Sequence, residues 1–308
     1  MPFFSRYRAV AVLLAVLPLT GCLFRSRKVE QPVNVVQLKT ATQQELIDYI
    51  NAQAAGIQSM QATVDIDTTV GGVKKGKVTD YQEIRGYVLA RKPAMLRMIG
   101  LMPIVRNKAF DMVSDGQEFK LWIPPKNRFV VGRNDVETHN PNQALESLRP
   151  QHIYDALLLR RIDPQHEIAV LENDTELVTE AKSRKISRAD YVIDVIRNEE
   201  HGWVLSRKIV FSRTDLLAHR QLLYDAQGNV TTNAVYEKYK TEENGVEFPW
   251  QIEIARPQEE YDITLKIVKL DLNQPLPDDK FILEQPPGAE VVHLDKPEGQ
   301  SSSPQGDR

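Results

Sequence analysis

The sequence has a single cysteine, Cys22, in 308 residues. One thiol cannot form an internal disulfide, so the fold has to be stable without one. Beyond the N-terminal leader there is no run of about 18 apolar residues, the length that a membrane-spanning helix needs. Long basic runs are missing too, and with a formal net charge of −3 the chain is not expected to bind nucleic acid.

The residue patterns of common catalytic and metal sites are also missing. The histidines lack the spacing of paired ligands on a helix, and there is no Gly-x-Ser-x-Gly motif. Gly71–Val78 nearly matches a phosphate-binding loop, but Val78 replaces the required Ser or Thr and the segment lies between two predicted strands, so we interpret it as a solvated hairpin. We predict no catalytic residue, metal or cofactor; an enzyme without a recognised motif is kept as an alternative.

The N-terminus has the three zones of an export signal. Arg6 and Arg8 give a positive start, an apolar stretch follows, and Leu19-Thr20-Gly21-Cys22 has the small residues of a lipoprotein cleavage site. We predict a signal peptide over residues 1–21 and lipidation of Cys22 with palmitate-type chains, which anchors the mature chain to a membrane in the periplasm. The residue after Cys22 is Leu23, not the aspartate that signals retention in the inner membrane, so the outer membrane is favoured over the inner. The alternative is an ordinary secretory signal with a chance cysteine.

The rest of the chain is predicted to be one large β domain, residues 40–295, between a lipidated tether (22–39) and a disordered tail (296–308). Thr42 and Glu45 form a capping box that starts a helix, and a second, broken helical patch begins at Asn140 and is interrupted at Pro150. Elsewhere apolar and polar residues alternate, as in Tyr261–Ile267, which is typical of half-buried antiparallel strands. The fold class is therefore mainly β: an open half-barrel of about eleven antiparallel strands, with a few helices as a lid over an apolar cavity.

Several segments resemble the LolA/LolB-like superfamily of periplasmic lipoprotein carriers and receptors. Gly86–Arg97 resembles its strand, basic-proline turn and returning strand, and Val113–Pro124 resembles its Ser-Asp-Gly hairpin that ends in proline. Leu276–Leu283 followed by Pro286-Pro287-Gly288 is similar to its C-terminal signature, and Gly245–Pro249 fits the entry to a late strand. The resemblance covers roughly residues 40–295.

This resemblance implies a half-barrel that encloses acyl chains and has no catalytic activity. In the soluble carrier an arginine before the proline bonds to carbonyls of the lid helix; here Lys92 stands at that place and Arg91 precedes it, so both are candidate lid contacts, although lysine lacks arginine's planar fork. Alternation along the strands gives the candidate acyl cleft as Ile66, Leu89, Leu96, Met98, Ile263 and Leu265.

The receptor type has in addition an apolar loop that touches the membrane. The matching segment here contains Leu101, Met102 and Ile104 around a proline, followed by Arg106. These side chains are candidates for a membrane loop. The alternative interpretation is a buried strand end.

The predicted function is a lipid-anchored periplasmic module that binds acyl chains or lipoproteins, in lipoprotein or lipid sorting to the outer membrane. An envelope sensor or scaffold on the same fold, acting in a protein complex without transfer, is the alternative. The ligand and the protein partners are not determined by the sequence.

Replacing Cys22 by Ser removes the thiol that would accept diacylglycerol. We expect Cys22→Ser to abolish incorporation of labelled palmitate and to leave the signal peptide uncleaved. Normal processing of the variant, with unchanged labelling, would disprove lipidation at this residue.

Overall fold

The computed structural model describes residues 37–74, 76–135, 149–180, 184–200, 202–243 and 245–294. The predicted signal peptide, Cys22, nearly all of the tether and the C-terminal tail lie outside the described residues. The chain divides into a small unit, Met1–Val35 with Leu177–Ser187, and a main unit, Val36–Glu176 with Arg188–Arg308. Of the small unit, the structure describes only the ends of two strands.

The described residues form two α-helices and fifteen strands. The helices are α1 (Gln43–Gly56) and α2 (Pro150–Leu157). The strands are β1 (Ser59–Gly72), β2 (Lys77–Asp80), β3 (Ile84–Arg91), β4 (Met95–Leu101), β5 (Lys108–Ser114), β6 (Glu118–Ile123), β7 (Arg128–Arg133), β8 (Glu167–Glu180), β9 (Arg184–Glu199), β10 (Gly202–Ser212), β11 (Ala218–Tyr224), β12 (Val230–Thr241), β13 (Glu247–Arg256), β14 (Tyr261–Leu272) and β15 (Glu290–His293).

All the strands belong to one open sheet, in the order β15-β7-β6-β5-β4-β3-β1-β14-β13-β12-β11-β10-β9-β8, with β2 paired to β1. The pairs whose register the structure describes are antiparallel except that of β15 with β7, which is parallel. The mainly β, open architecture agrees with the sequence prediction. The strand count exceeds the predicted eleven partly because β2 and β15 have only four residues each, too few to show an alternating pattern.

Helix α1 begins where the sequence predicted. The backbone N–H of Thr42 donates to Glu45 Oε2 at 2.7 Å, and the N–H of Glu45 donates back to Thr42 Oγ1 at 3.3 Å. This reciprocal pair satisfies two N–H groups that the helix itself leaves without partners. Leu46 and Ile50 then recur on one face and pack on Phe211 and its neighbours in a core under α1.

Helix α2 corrects the interpretation of Pro150 as a break. Pro150 is the first residue of the helix, where its missing N–H costs no hydrogen bond and its fixed φ suits the turn. Positions 140–148 of the predicted patch lie outside the described residues. Ile153 and Leu157 are buried in the larger core, which lies on the same sheet face as Leu96 and Met98.

Leu89 does not face this core and is corrected as a cleft candidate. Successive side chains of a strand point to opposite faces, and in β3 it is Val88 and Ala90 that are buried, whereas Leu89 is half-buried on the other face. The sequence pattern Tyr87-Val88-Leu89-Ala90 is apolar throughout, so alternation could not select the inner face.

A matched pair of truncations tests this assignment. Leu96, on the strand beside β3, is fully buried, and Leu96→Ala is expected to lower the free energy of unfolding by about 2–5 kcal/mol. Leu89→Ala removes the same atoms from the outer face and should cost less than about 1 kcal/mol. Urea denaturation of both variants gives the comparison, and equal losses would contradict the placement of Leu89.

Candidate functional site

An apolar cavity of about 280 Å³ opens within the larger core. Strands β1, β3, β4, β5, β6 and β14 supply most of its wall, and α2 contributes Ile153. The lining side chains are Ile66, Thr68, Tyr81, Gln82, Ile84, Met98, Met102, Pro103, Ala109, Phe110, Met112, Leu121, Ile123, Ile153 and Ile263. Most are apolar, so the cavity suits a hydrocarbon ligand.

The structure brings half of the predicted cleft residues to this cavity. Ile66, Met98 and Ile263 line it. Leu96 and Leu265 are buried in the same core but away from the cavity wall. Whether these side chains contact an acyl chain stays a prediction.

Sequence reasoning missed the contribution of β5 and β6. Met112, Leu121 and Ile123 line the cavity, and the last two lie inside the hairpin segment already singled out as a motif. For Leu121 and Ile123 the sequence signal was the alternation of polar and apolar residues at the start of β6. Ile153 could not be assigned, because the sequence does not show which part of the sheet α2 covers.

A pair of glycines lies directly behind side chains that line the cavity. Gly86 and Gly100 are directly opposite each other across β3 and β4. A Cβ on Gly100 would lie 2.3 Å from the ring of Phe110 and 2.7 Å from Ile84 Cδ1. The bare backbone therefore lets these two lining side chains lie flat against the sheet.

The loop between β4 and β5 forms part of the cavity mouth. Met102 and Pro103 line the cavity, whereas the side chains of Ile104 and Val105 are 99% and 61% exposed. Ile104 also has a φ of 68°, a conformation that is uncommon for a β-branched residue. The alternative of a buried strand end fits only Leu101, which is half-buried at the end of β4.

The two candidate lid contacts separate in the structure. Lys92 Nζ donates to the carbonyl of Ala54 in α1, and burial lowers the pKa of Lys92. Arg91 does not bond to the helix: its guanidinium donates to the carbonyl of Leu276 and to the carboxylate of Asp278. The lysine therefore holds a helix carbonyl despite lacking arginine's fork, and the arginine holds the C-terminal segment.

No helix among the described residues is long and apolar enough to cross a membrane. The same part of the chain contains no group of three or more His, Cys, Asp or Glu side chains arranged to hold a metal ion.

No protein-family model matches the chain, and no curated protein matches it. Solved structures similar to it include a LolA superfamily protein from Nitrosomonas europaea, at 13% identity over 79% of this chain and 99% of that one, with a TM-score of 0.47. A putative outer membrane lipoprotein-sorting protein domain from Vibrio parahaemolyticus matches at 11% identity over 77% and 94%, with a TM-score of 0.47. A DUF1329 family protein from Desulfovibrio piger matches at 13% identity over 78% and 96%, again with 0.47.

The open sheet with its two helices among the described residues agrees with the mainly β, open architecture predicted from the sequence. At such identities and TM-scores the likeness says nothing about what this chain binds or does.

His152, on α2, makes the stability of the fold depend on pH. Burial, and next the charges of Arg256 and Arg149, lower its pKa to about 3, and Nδ1 lies 3.5 Å from Thr232 Oγ1. Its pKa in the unfolded chain is near 6.5. Between pH 6.5 and 3 the unfolded chain therefore binds more protons, and stability falls as the pH falls through this window.

We expect the wild type to lose about 1–2 kcal/mol of stability through His152 between pH 7.5 and pH 5. His152→Gln should lack this loss, because glutamine does not titrate. Urea denaturation followed by tryptophan fluorescence at both pH values gives the difference for each protein, and other titrating groups cancel in the comparison. Equal pH dependence in the two proteins would show that His152 takes up a proton in the folded state.

Proposed function

We propose that this chain is a lipid-anchored, non-catalytic periplasmic module that binds acyl chains or lipoproteins and takes part in lipoprotein or lipid sorting to the outer membrane. The observation that carries the proposal is an apolar cavity bordered by a loop that lines it with Met102 and Pro103 and leaves Ile104 99% exposed. The lipid on Cys22 and the outer-membrane location are part of the proposal and derive from the sequence.

The cavity is suited to part of an acyl chain. Its volume of about 280 Å³ is close to the lower end of ligand pockets, about 300–1,000 Å³, and nearly twice an engineered apolar cavity of about 150 Å³ that stays dry and binds benzene. Each methylene group that leaves water contributes about 0.8 kcal/mol. Entry of several methylenes therefore supplies a substantial affinity without any polar contact.

The exposed loop follows β4, a central strand of the sheet, and borders the cavity. Leu101 pairs with Arg85 and Arg85 pairs with Asp65, so the loop after β4 is level with the middle of β1. Strand β1 continues past this point to its hairpin with β2, where Val73 is 98% exposed. The exposed Ile104 beside the apolar cavity is the side chain that we expect to contact a membrane.

The cavity is tested with a fluorescent fatty acid, cis-parinaric acid, bound to the delipidated full chain. Met98→Trp places a larger side chain in the cavity and is expected to weaken binding about tenfold or more. Leu89→Trp puts the same side chain on the outer face and should leave binding unchanged. Ile263→Phe is the second cavity variant, because overpacking at Met98 costs stability, and circular dichroism confirms folding. Failure of the wild type to bind the probe would refute the proposal.

Membrane contact by the loop is tested by comparing substitutions of two exposed isoleucines, one in the loop and one outside it. Ile104→Glu, in a chain that begins at residue 23 and so lacks both the signal peptide and the lipid, should reduce co-flotation with phosphatidylcholine vesicles about tenfold and leave the melting temperature unchanged, since the side chain is in water. Ile282 is 57% exposed outside this loop, so Ile282→Glu serves as the control and should not affect flotation. Equal flotation of the wild type and Ile104→Glu would contradict membrane contact by this loop.

A further inference from the structure

Helix α2 also borders a second, polar cavity of about 330 Å³. Gln151, His152 and Asp155 of α2 line it, whereas Ile153 between them lines the apolar cavity. Three arginines from other segments complete the wall: Arg160 after α2, Arg197 on β9 and Arg207 on β10. We call this cavity, by these three residues, the arginine pocket.

The carboxylate of Glu167 contacts the guanidinium groups of all three arginines. Glu167, which is buried, accepts from Arg160 Nη2 at 2.8 Å and from Arg197 Nε at 3.4 Å with Oε1. Its other oxygen, Oε2, lies 3.5 Å from Arg207 Nη2. A single negative charge therefore faces three positive ones.

Arg207 is the most unusual of the three. Its side chain is only 2% exposed, and its Nη1 and Nη2 donate to the backbone carbonyls of Arg160 and Arg161 at 2.6 and 3.1 Å. Its Nε is buried and has no partner among the described residues. Burial, and next the charge of Arg160, lower the pKa of Arg207 to about 10. A buried donor without an acceptor is costly, so an acceptor in the pocket would stabilise it.

Three carboxylates, those of Asp155, Glu199 and Asp225, also line the pocket. Asp155 Oδ1 accepts from Gln151 at 2.9 Å, and burial raises the pKa of Asp155. The carboxylate of Asp225 accepts from the backbone N–H groups of Gln227 and Asn229 within its own turn, and Glu199 is exposed. The contacts described for the three guanidinium groups, to Glu167 and to two backbone carbonyls, use only part of their N–H donors.

We propose that the arginine pocket binds a phosphate group, carried either by a small soluble phosphate ester or by the headgroup of an anionic lipid. Guanidinium groups present planar, forked donors that match the oxygens of a phosphate. The cavity has the volume of a ligand pocket, about 300 Å³ or more, which leaves room for the rest of the ester. The pocket is separate from the apolar cavity, and its ligand does not depend on the proposed acyl binding.

The soluble source is tested by calorimetric titration of glycerol 3-phosphate into the full chain at constant ionic strength. Arg160→Gln and Arg197→Gln are each expected to weaken binding about tenfold or more. Arg220→Gln is the matched control: Arg220 is exposed on β11 beside Gln221, which lines the pocket, and points to the opposite face. Arg197→Gln is the variant expected to keep its fold, because its contact with Glu167 is long, and thermal denaturation verifies this.

The lipid source is tested by co-flotation of the same variants, made in a chain that begins at residue 23 and lacks the lipid anchor, with phosphatidylcholine vesicles, with and without phosphatidic acid. Binding that needs phosphatidic acid and is lost in Arg197→Gln, without any binding of glycerol 3-phosphate, supports the pocket and identifies the lipid headgroup as the source. Binding of glycerol 3-phosphate that is lost in the same variant supports the soluble ester. No binding of either probe, or equal weakening by Arg220→Gln, overturns the proposal.

Discussion

The main constraint on this fold, in the part of the chain that the structure describes, is that two short helices cover a fifteen-stranded sheet. A sheet with an apolar face must bury it against another layer. Helices α1 and α2 together have 22 residues, 14 and 8, and each covers its own part of the face: α1 packs over the Phe211 core and α2 over the Leu96 core. The apolar surface beyond the reach of α2 remains as the cavity.

The cavity lies where neither described helix covers the sheet. Ile66 and Met98 line this space. Gly100 on β4 lets Phe110 and Ile84 lie against the backbone, and Gly86 on β3 does the same for Ile66. The apolar space therefore follows from how the described helices and strands are arranged, and the exposed Ile104 beside it is an added feature of one loop.

The same helix α2 divides apolar from polar surroundings. Ile153 lines the apolar cavity, whereas Gln151 and Asp155 line the arginine pocket, in which Arg207 is buried. Buried charges are stable only when they are paired or hydrogen-bonded, and here Glu167 and two backbone carbonyls do this for Arg207. A change that moved α2 would therefore disturb the lining of both cavities.

Local patterns were enough to predict several features. The reciprocal bonds of Thr42 and Glu45 depend on three residues of separation, so the start of α1 could be predicted and is confirmed. Alternation predicted a mainly β, open sheet, because the two faces of a strand differ in polarity. The export signal and Cys22 were also predicted from local patterns, and they stay predictions.

Other features were decided by tertiary contacts. Leu89 was assigned to the wrong face, because β3 is apolar on both sides and only packing selects Val88 and Ala90. Lys92 contacts a carbonyl of α1 that is 38 residues away, and Glu167 gathers arginines from three separate segments. The sequence by itself determined the period of each element and the start of the first helix, since those depend on neighbours in the chain. Only the tertiary structure decided which side chains share a cavity, because that depends on the order of strands and on where two helices lie on the sheet.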